Sequence, residues 1–114
     1  MTIALEQDAK NAEIKRLNDR LRLKGRGGYS QMCDRMSDFS YERFAEVRKA
    51  IRAFDDFTPD NDPHGHHDYG VVEVHDQKYD WEIGYLGADG TGVSPDPSDT
   101  SVTTRVMWIS MVPD

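Results

Sequence analysis

VVEVHDQKYDWEIGY, residues 71–85, is where the period of this sequence changes. Upstream, apolar residues recur at steps of three and four; here they alternate. Val72 and Val74 alternate with Val71, Glu73 and His75, and Tyr79, Trp81, Ile83 and Tyr85 alternate with Lys78, Asp80 and Glu82. Period two places successive side chains on opposite faces of a strand, so the spacing predicts two strands with one apolar face each. A tight turn at Asp76-Gln77 joins them. A two-residue hairpin there pairs Val74 with Tyr79 and Val72 with Trp81 on the core side. It also sets Glu73 opposite Asp80 on the outer side, with Glu82 nearby. Facing like charges cost roughly a few tenths of a kcal/mol. A face that tolerates them is either well solvated or reserved for a cationic partner.

The flanks supply the other elements. Ile14, Leu17 and Leu21 fall at i, i+3 and i+7, predicting a helix over residues 2–24 with one buried stripe. Lys15, Arg16, Arg20, Arg22 and Lys24 crowd its C-terminal half, where positive charge suits the helix dipole. Gly25, Gly27 and Gly28 end it. With the chain so acidic overall, that basic run reads as a solvated helix face before it reads as a nucleic-acid contact. Tyr29, Gln31 and Cys33 alternate with Ser30 and Met32 in a short strand over residues 29–36. A second helix spans residues 41–54: Ser40 is its N-cap, Phe39 staples onto Phe44, and Phe44, Val47, Ile51 and Phe54 form its stripe. Pro59 marks its stop. Residues 86–101, LGADGTGVSPDPSDTS, form a turn-rich loop. The last strand, residues 103–112, has Val106 and Trp108 on one face and Met107, Ile109 and Met111 on the other, which predicts a central place in the sheet. The order helix, strand, helix, strand, strand, strand gives an α+β fold. It is a single domain over residues 1–114, two helices packed on one side of an antiparallel sheet of three to four strands.

Composition excludes several classes. With 37% hydrophobic and 31% charged residues the chain is globular. Its longest near-continuous apolar stretch, residues 106–112, falls far short of the roughly twenty residues a membrane span needs. The start, MTIALEQDAK, has neither the basic nor the apolar region of a signal peptide, so a cytoplasmic location is expected. Cys33 is the one cysteine, which rules out an internal disulfide and any multi-cysteine zinc site. Beside Met32 and Met36 it reads as a small core residue before it reads as a nucleophile. There is no phosphate loop with lysine, no G-x-S-x-G elbow and no dinucleotide fingerprint, so no cofactor is expected. The net charge of −7 is unevenly spread. Residues 1–57 hold twelve Lys or Arg against ten Asp or Glu, whereas residues 58–114 hold only Lys78 and Arg105 against eleven acids.

FTPDNDPHGHHDYG, residues 57–70, is the candidate for chemistry. A calcium loop can be laid on it from Asp60, but His64 falls at the fifth position and Val71 where a bidentate glutamate belongs. A transition metal has candidate ligands in Asp60, Asp62, His64, His66, His67 and Asp68. Against both stands the connector reading. Asp60, Asn61 and Asp62 form turns through their own backbone, Pro59 and Pro63 stiffen them, and Gly65 and Gly70 take angles other residues avoid. The connector reading is the stronger.

FDDFTPDNDPHGHHDYG (residues 54–70), WEIGY (residues 81–85) and SPDPSDTSVTTRVMWISMV (residues 94–112) together resemble a bacterial family of unknown function, domain of unknown function three-seven-six-eight. EIKRLNDRLR near the start resembles that family's opening helix, so the likeness spans residues 13–112. The resemblance implies no particular reaction, cofactor or catalytic residue. The chain departs from the family pattern at His64 and His66, leaving His67 as the matching histidine, which weakens the metal reading. Such proteins are typical of proteobacterial mobile elements.

The expected function is therefore that of a small acidic, non-catalytic binding protein. It would inhibit a host nucleic-acid-binding complex, such as a CRISPR effector, by imitating phosphate charge with its carboxylates. The contacting residues would be Glu73, Asp76, Asp80 and Glu82, and more weakly Asp96 and Asp99. The expected partner is a protein, with no direct nucleic-acid or membrane binding. The alternative is a metal-binding protein or metal-dependent hydrolase built on the Asp/His loop, residues 60–68.

Overall fold

A computed structural model describes residues 3–33 and 40–113. Among the described residues the elements are α1 (Ile3–Lys24), β1 (Tyr29–Met32), α2 (Tyr41–Ala53), β2 (Tyr69–Val74), β3 (Gln77–Gly87), a 3-10 turn (Thr100–Val102) and β4 (Thr103–Met111). The Phe39 staple and the proposed far end of the first strand at Met36 lie outside the described residues. The element order and the α+β class agree with the sequence reading.

The four strands form one sheet in the order β1-β4-β3-β2, so β4 is central, as its two apolar faces require. β2, β3 and β4 are antiparallel to their neighbours, but β1 joins β4 in parallel, with Tyr29 opposite Val106 and Met32 opposite Ile109. The sheet is thus mixed. Gly28 leads into that parallel pair, and a Cβ there would sit 2.4 Å from the Arg105 carbonyl oxygen. The close approach of the two backbones requires glycine.

The hairpin corrects the expected register. Its turn is His75-Asp76, one residue earlier than Asp76-Gln77, and both residues have positive φ, 51° and 64°. That is the signature of a two-residue type I′ connection, whose twist matches the flanking strands. Val74 consequently faces Gln77, Val72 faces Tyr79 and Glu73 faces Lys78. Glu73 and Asp80 are not opposite each other; an opposite-charge pair replaces the expected repulsion. A second cause lies at the other end of β2. Gly70 pairs with Trp81, and a Cβ on Gly70 would meet the indole Nε1 at 2.7 Å. Placing Val72 opposite Trp81, as the sequence reading had it, forfeits the one position in β2 that leaves room for the indole.

The core forms on one face of the sheet. Leu21 of α1 and Val47 and Ile51 of α2 pack with Val72, Tyr79, Trp81, Ile83, Met107 and Ile109. Trp81 and Tyr79 are almost wholly buried, and burial of an apolar side chain of such size stabilises the fold by roughly 1.5–3 kcal/mol. Ile14, Leu17 and Leu21 are all buried, which bears out the stripe on α1. Ser40 caps α2 by accepting from the Arg43 backbone N–H at 3.1 Å. The helix ends at Ala53, well before Pro59, where Phe54 turns to extended backbone, and the carbonyls at this end have a partner from elsewhere. Arg22 Nη1 donates to the carbonyls of Ile51 at 2.9 Å and Phe54 at 3.0 Å. No helix of the described residues is long and apolar enough to cross a membrane.

Candidate functional site

Three separated stretches of the sequence meet in one polar network between α1 and the sheet. Asn18, 0% exposed on α1, is its hub. Its side-chain amide donates to the His66 carbonyl at 3.0 Å and to the Tyr85 hydroxyl at 2.8 Å, and its oxygen accepts from Arg105 Nε at 2.7 Å. Tyr85 in turn donates to Asp68 Oδ2 at 3.0 Å. Burial pushes the Tyr85 hydroxyl well above the usual phenol range, and the neighbouring Asp68 carboxylate adds to the rise. Arg105 is buried, donates to the Pro97 carbonyl, and lies 5.2 Å from the Tyr85 ring centroid. Its desolvation lowers the guanidinium pKa. This residue belongs to the inner face and does not neutralise the outer one.

The histidines of the 57–70 loop attach to the same helix. His66 Nε2 is 2.8 Å from Asn11 Oδ1. Burial lowers the His66 pKa below its ordinary value, against the opposing pull of Asp68. His67 Nδ1 is 2.9 Å from Asp19 Oδ1, its backbone N–H donates to Asp62, and its ring stacks on Phe57 at 3.8 Å with 6° between planes. These contacts hold His67 at a φ of 55°, a left-handed angle that a side chain adopts only under constraint. Asp19 also accepts from Arg22, whose other nitrogen reaches the end of α2. The chain of contacts therefore runs from the loop through α1 to the second helix.

Of the candidate metal ligands, Asp62, His66, His67 and Asp68 are engaged in this network, while Asp60 and His64 are exposed. Among the described residues no three His, Cys, Asp or Glu side chains come together in a group that could hold a metal ion. Asp62, His66, His67 and Asp68 thus help dock α1 to the sheet, whereas Asp60 and His64 take no part in it. Cys33 Sγ lies 2.9 Å from Ser110 Oγ of β4, a contact that involves none of these histidines.

The candidate partner-binding carboxylates divide into two groups. Glu73, Asp80 and Glu82 lie on the outer face of the hairpin, where alternation puts Tyr69, Val71 and Lys78 beside them. Asp76 is exposed in the turn. Across the strands, Tyr69, Glu82 and Trp108 form one row and Val71, Asp80 and Ser110 the next. Tyr69 and Val71 are each 40% exposed, so apolar and acidic groups share this face. Trp108 lies across Gly84, where a Cβ would sit 2.0 Å from the ring. Asp96 and Asp99 are elsewhere, in the loop before β4, and are locally committed. Hydrogen bonds from the Ser98 hydroxyl and backbone N–H hold the Asp96 carboxyl below its usual range, and Lys10 is 3.5 Å away. Asp99 caps the 3-10 turn through Ser101.

Asn11, Asn18, Asp19, Arg22 and Tyr85 are the network residues that the sequence reading did not assign to a site; it placed Arg22 on a basic helix face and Tyr85 on the apolar face of a strand. Four of them lie on α1, and two had a visible signal. Asn18 and Arg22 complete the i, i+3, i+4, i+7, i+8 pattern begun by Ile14, Leu17 and Leu21, which marks them as buried-face positions despite their polarity.

Neither a curated protein nor a solved structure matches this chain. A family model described as "Protein of unknown function (DUF3768)" matches residues 32–114, which takes in the 57–70 loop, the hairpin and β4 and leaves α1 outside. The chain belongs to that family.

Proposed function

We infer that this is a non-catalytic binding protein whose outer sheet face docks on a basic protein surface. The observation that carries the reading is the row Tyr69–Glu82–Trp108, an exposed carboxylate between two aromatic side chains on the face opposite the helices. Asp80 and Glu73 extend the negative charge, and Lys78 offsets one unit of it. Aromatic residues supply contact area at interfaces, and the carboxylates supply steering and register. The corrected register changes the basis of the reading. Repulsion between Glu73 and Asp80 no longer motivates it; the mixture of acid and exposed apolar surface does. His66, His67, Asp62 and Asp68 of the loop, by contrast, serve the polar network.

A basic protein that reads nucleic-acid phosphates is the partner class this charge fits, and occupying its basic surface would inhibit it. A host defence complex guided by nucleic acid, of the CRISPR-effector kind, belongs to that class. The test is site-specific photocrosslinking in host lysate. A crosslinker at Val71, on the outer face, captures a basic nucleic-acid-binding protein, while one at Tyr41, on α2 across the sheet, does not. Equal capture from both positions, or none from Val71, removes the reading.

A further inference from the structure

The last turns of α1 and the glycine turn behind them hold cations that neither the polar network nor the outer face uses. Arg16, Arg20, Lys24 and Arg26 line an open cleft of about 330 Å³ together with Asp19 and Leu23. Arg16 is occupied by Glu13 through hydrogen bonds of 2.8 and 2.7 Å. Asp19, the carboxylate of the lining, is already faced by Lys15, Arg22 and His67. Among the described residues, Arg20, Lys24 and Arg26 have no carboxylate at ion-pair distance.

Arg20 is the most informative of them. Among the described residues its Nε is buried without a hydrogen-bond partner, and its guanidinium lies against Gly27, where a Cβ would come within 2.5 Å of Nη2. Gly27 has a φ of 83°, so it serves both the turn and the seat of the guanidinium. A planar guanidinium in this position is suited to an oxyanion of matching geometry. Cations at a helix C-terminus also offset the dipole, which accounts for their sign. It does not account for the concave arrangement, in which a half-buried arginine, two exposed cations and an apolar side chain share one cleft. An anion here meets about half a negative charge from the helix end, against three cations without carboxylate partners.

We propose that this cleft binds a compact phosphate ester of nucleotide size. Its volume lies at the lower end of the range of small-molecule sites, and Leu23, 42% exposed, supplies an apolar wall beside the cations. The overall charge decides between a compact anion and a long one. A nucleic-acid strand running past the cleft meets a molecule of net charge −7, whereas a small ligand senses only charges within a screening length of about 10 Å.

Calorimetric titration of the full chain at about 50 mM salt, where screening is weak, tests the proposal with four probes: ADP, adenosine, inorganic phosphate and a single-stranded oligonucleotide. ADP saturates one site, inorganic phosphate binds more weakly, and adenosine does not bind. Lys24 and Arg26 are exposed, so the variant K24Q/R26Q keeps the fold, checked by circular dichroism, and binds ADP roughly tenfold more weakly. Arg20→Gln in a folded variant weakens it further. Absence of saturable ADP binding, unchanged affinity in K24Q/R26Q, phosphate binding as tightly as ADP, or tighter binding of the oligonucleotide each overturns the proposal.

Discussion

Asn18 Oδ1 accepts a hydrogen bond from Arg105 Nε at 2.7 Å across 87 residues of sequence, and both residues are buried. Through this contact the opening helix, the 57–70 loop and the last strand are held in register. The same amide serves three partners, so its loss leaves more than one polar group unpaired.

Replacement of Asn18 by leucine, close in volume but unable to hydrogen-bond, strands the Arg105 Nε and the His66 carbonyl and leaves the Tyr85 hydroxyl with only its bond to Asp68. An orphaned buried polar group costs about 1–3 kcal/mol. Urea denaturation of Asn18→Leu is expected to show a loss of about 2–4 kcal/mol, with part recovered in N18L/R105M because the buried cation leaves as well.

The hairpin turn gives a prediction of opposite sign. His75 and Asp76 both take positive φ, which Asn-Gly adopts at lower cost. H75N/D76G is expected to stabilise the protein by about 0.5–1 kcal/mol, because left-handed angles are costly for most residues with a Cβ, less the entropy that glycine adds to the unfolded chain and whatever the exposed His75–Glu46 contact contributes. A turn centred on Asp76-Gln77 would instead be harmed by the same substitution, so thermal melts of the variant test the register directly.

Gly84 permits Trp108 to lie across the outer face. Gly84→Ala forces the indole aside, at a cost of about 1–3 kcal/mol if the neighbours cannot yield. A red-shifted tryptophan emission in the folded variant, together with weaker partner capture, is the expected result.

Stability depends on pH through His66, whose folded pKa burial sets below its ordinary value of 6.5. The unfolded chain therefore takes up a proton more readily than the folded one. The contribution is fully present above about pH 6.5 and is lost as pH falls towards and through the lower folded pKa. Melting temperature should fall as pH is lowered from about 7.5 to 5, and the slope should be shallower in His66→Gln.

The parts of the fold that periodicity controls were legible. Val72 to Tyr85 announced strands, Val47 and Ile51 announced a buried helical stripe, and the two apolar faces of β4 announced its central place. The register was not legible, because two features without a period set it. One is a turn whose left-handed residues are His75 and Asp76 instead of glycine, and the other is the fit of Gly70 beneath Trp81. The parallel pairing of β1 depends on the path of the intervening chain, which local pattern does not encode. The polar network was half visible. The density of Asp and His marks the loop, but its partners Asn11, Asn18 and Asp19, with Arg22 beyond them, lie on a helix that reads as charged surface. Only the i+4 and i+8 spacing from Ile14 distinguishes Asn18 and Arg22 from that surface.

The measurement closest to the central claim is a pull-down from host lysate, with a tag other than histidine and washes at low and high salt, comparing the wild type with D80K/E82K. Both substitutions lie on the outer face and leave the polar network untouched. The wild type should retain a basic, nucleic-acid-binding protein at low salt and release it at high salt, and the folded variant should retain none. Retention of the same protein by D80K/E82K would contradict the account.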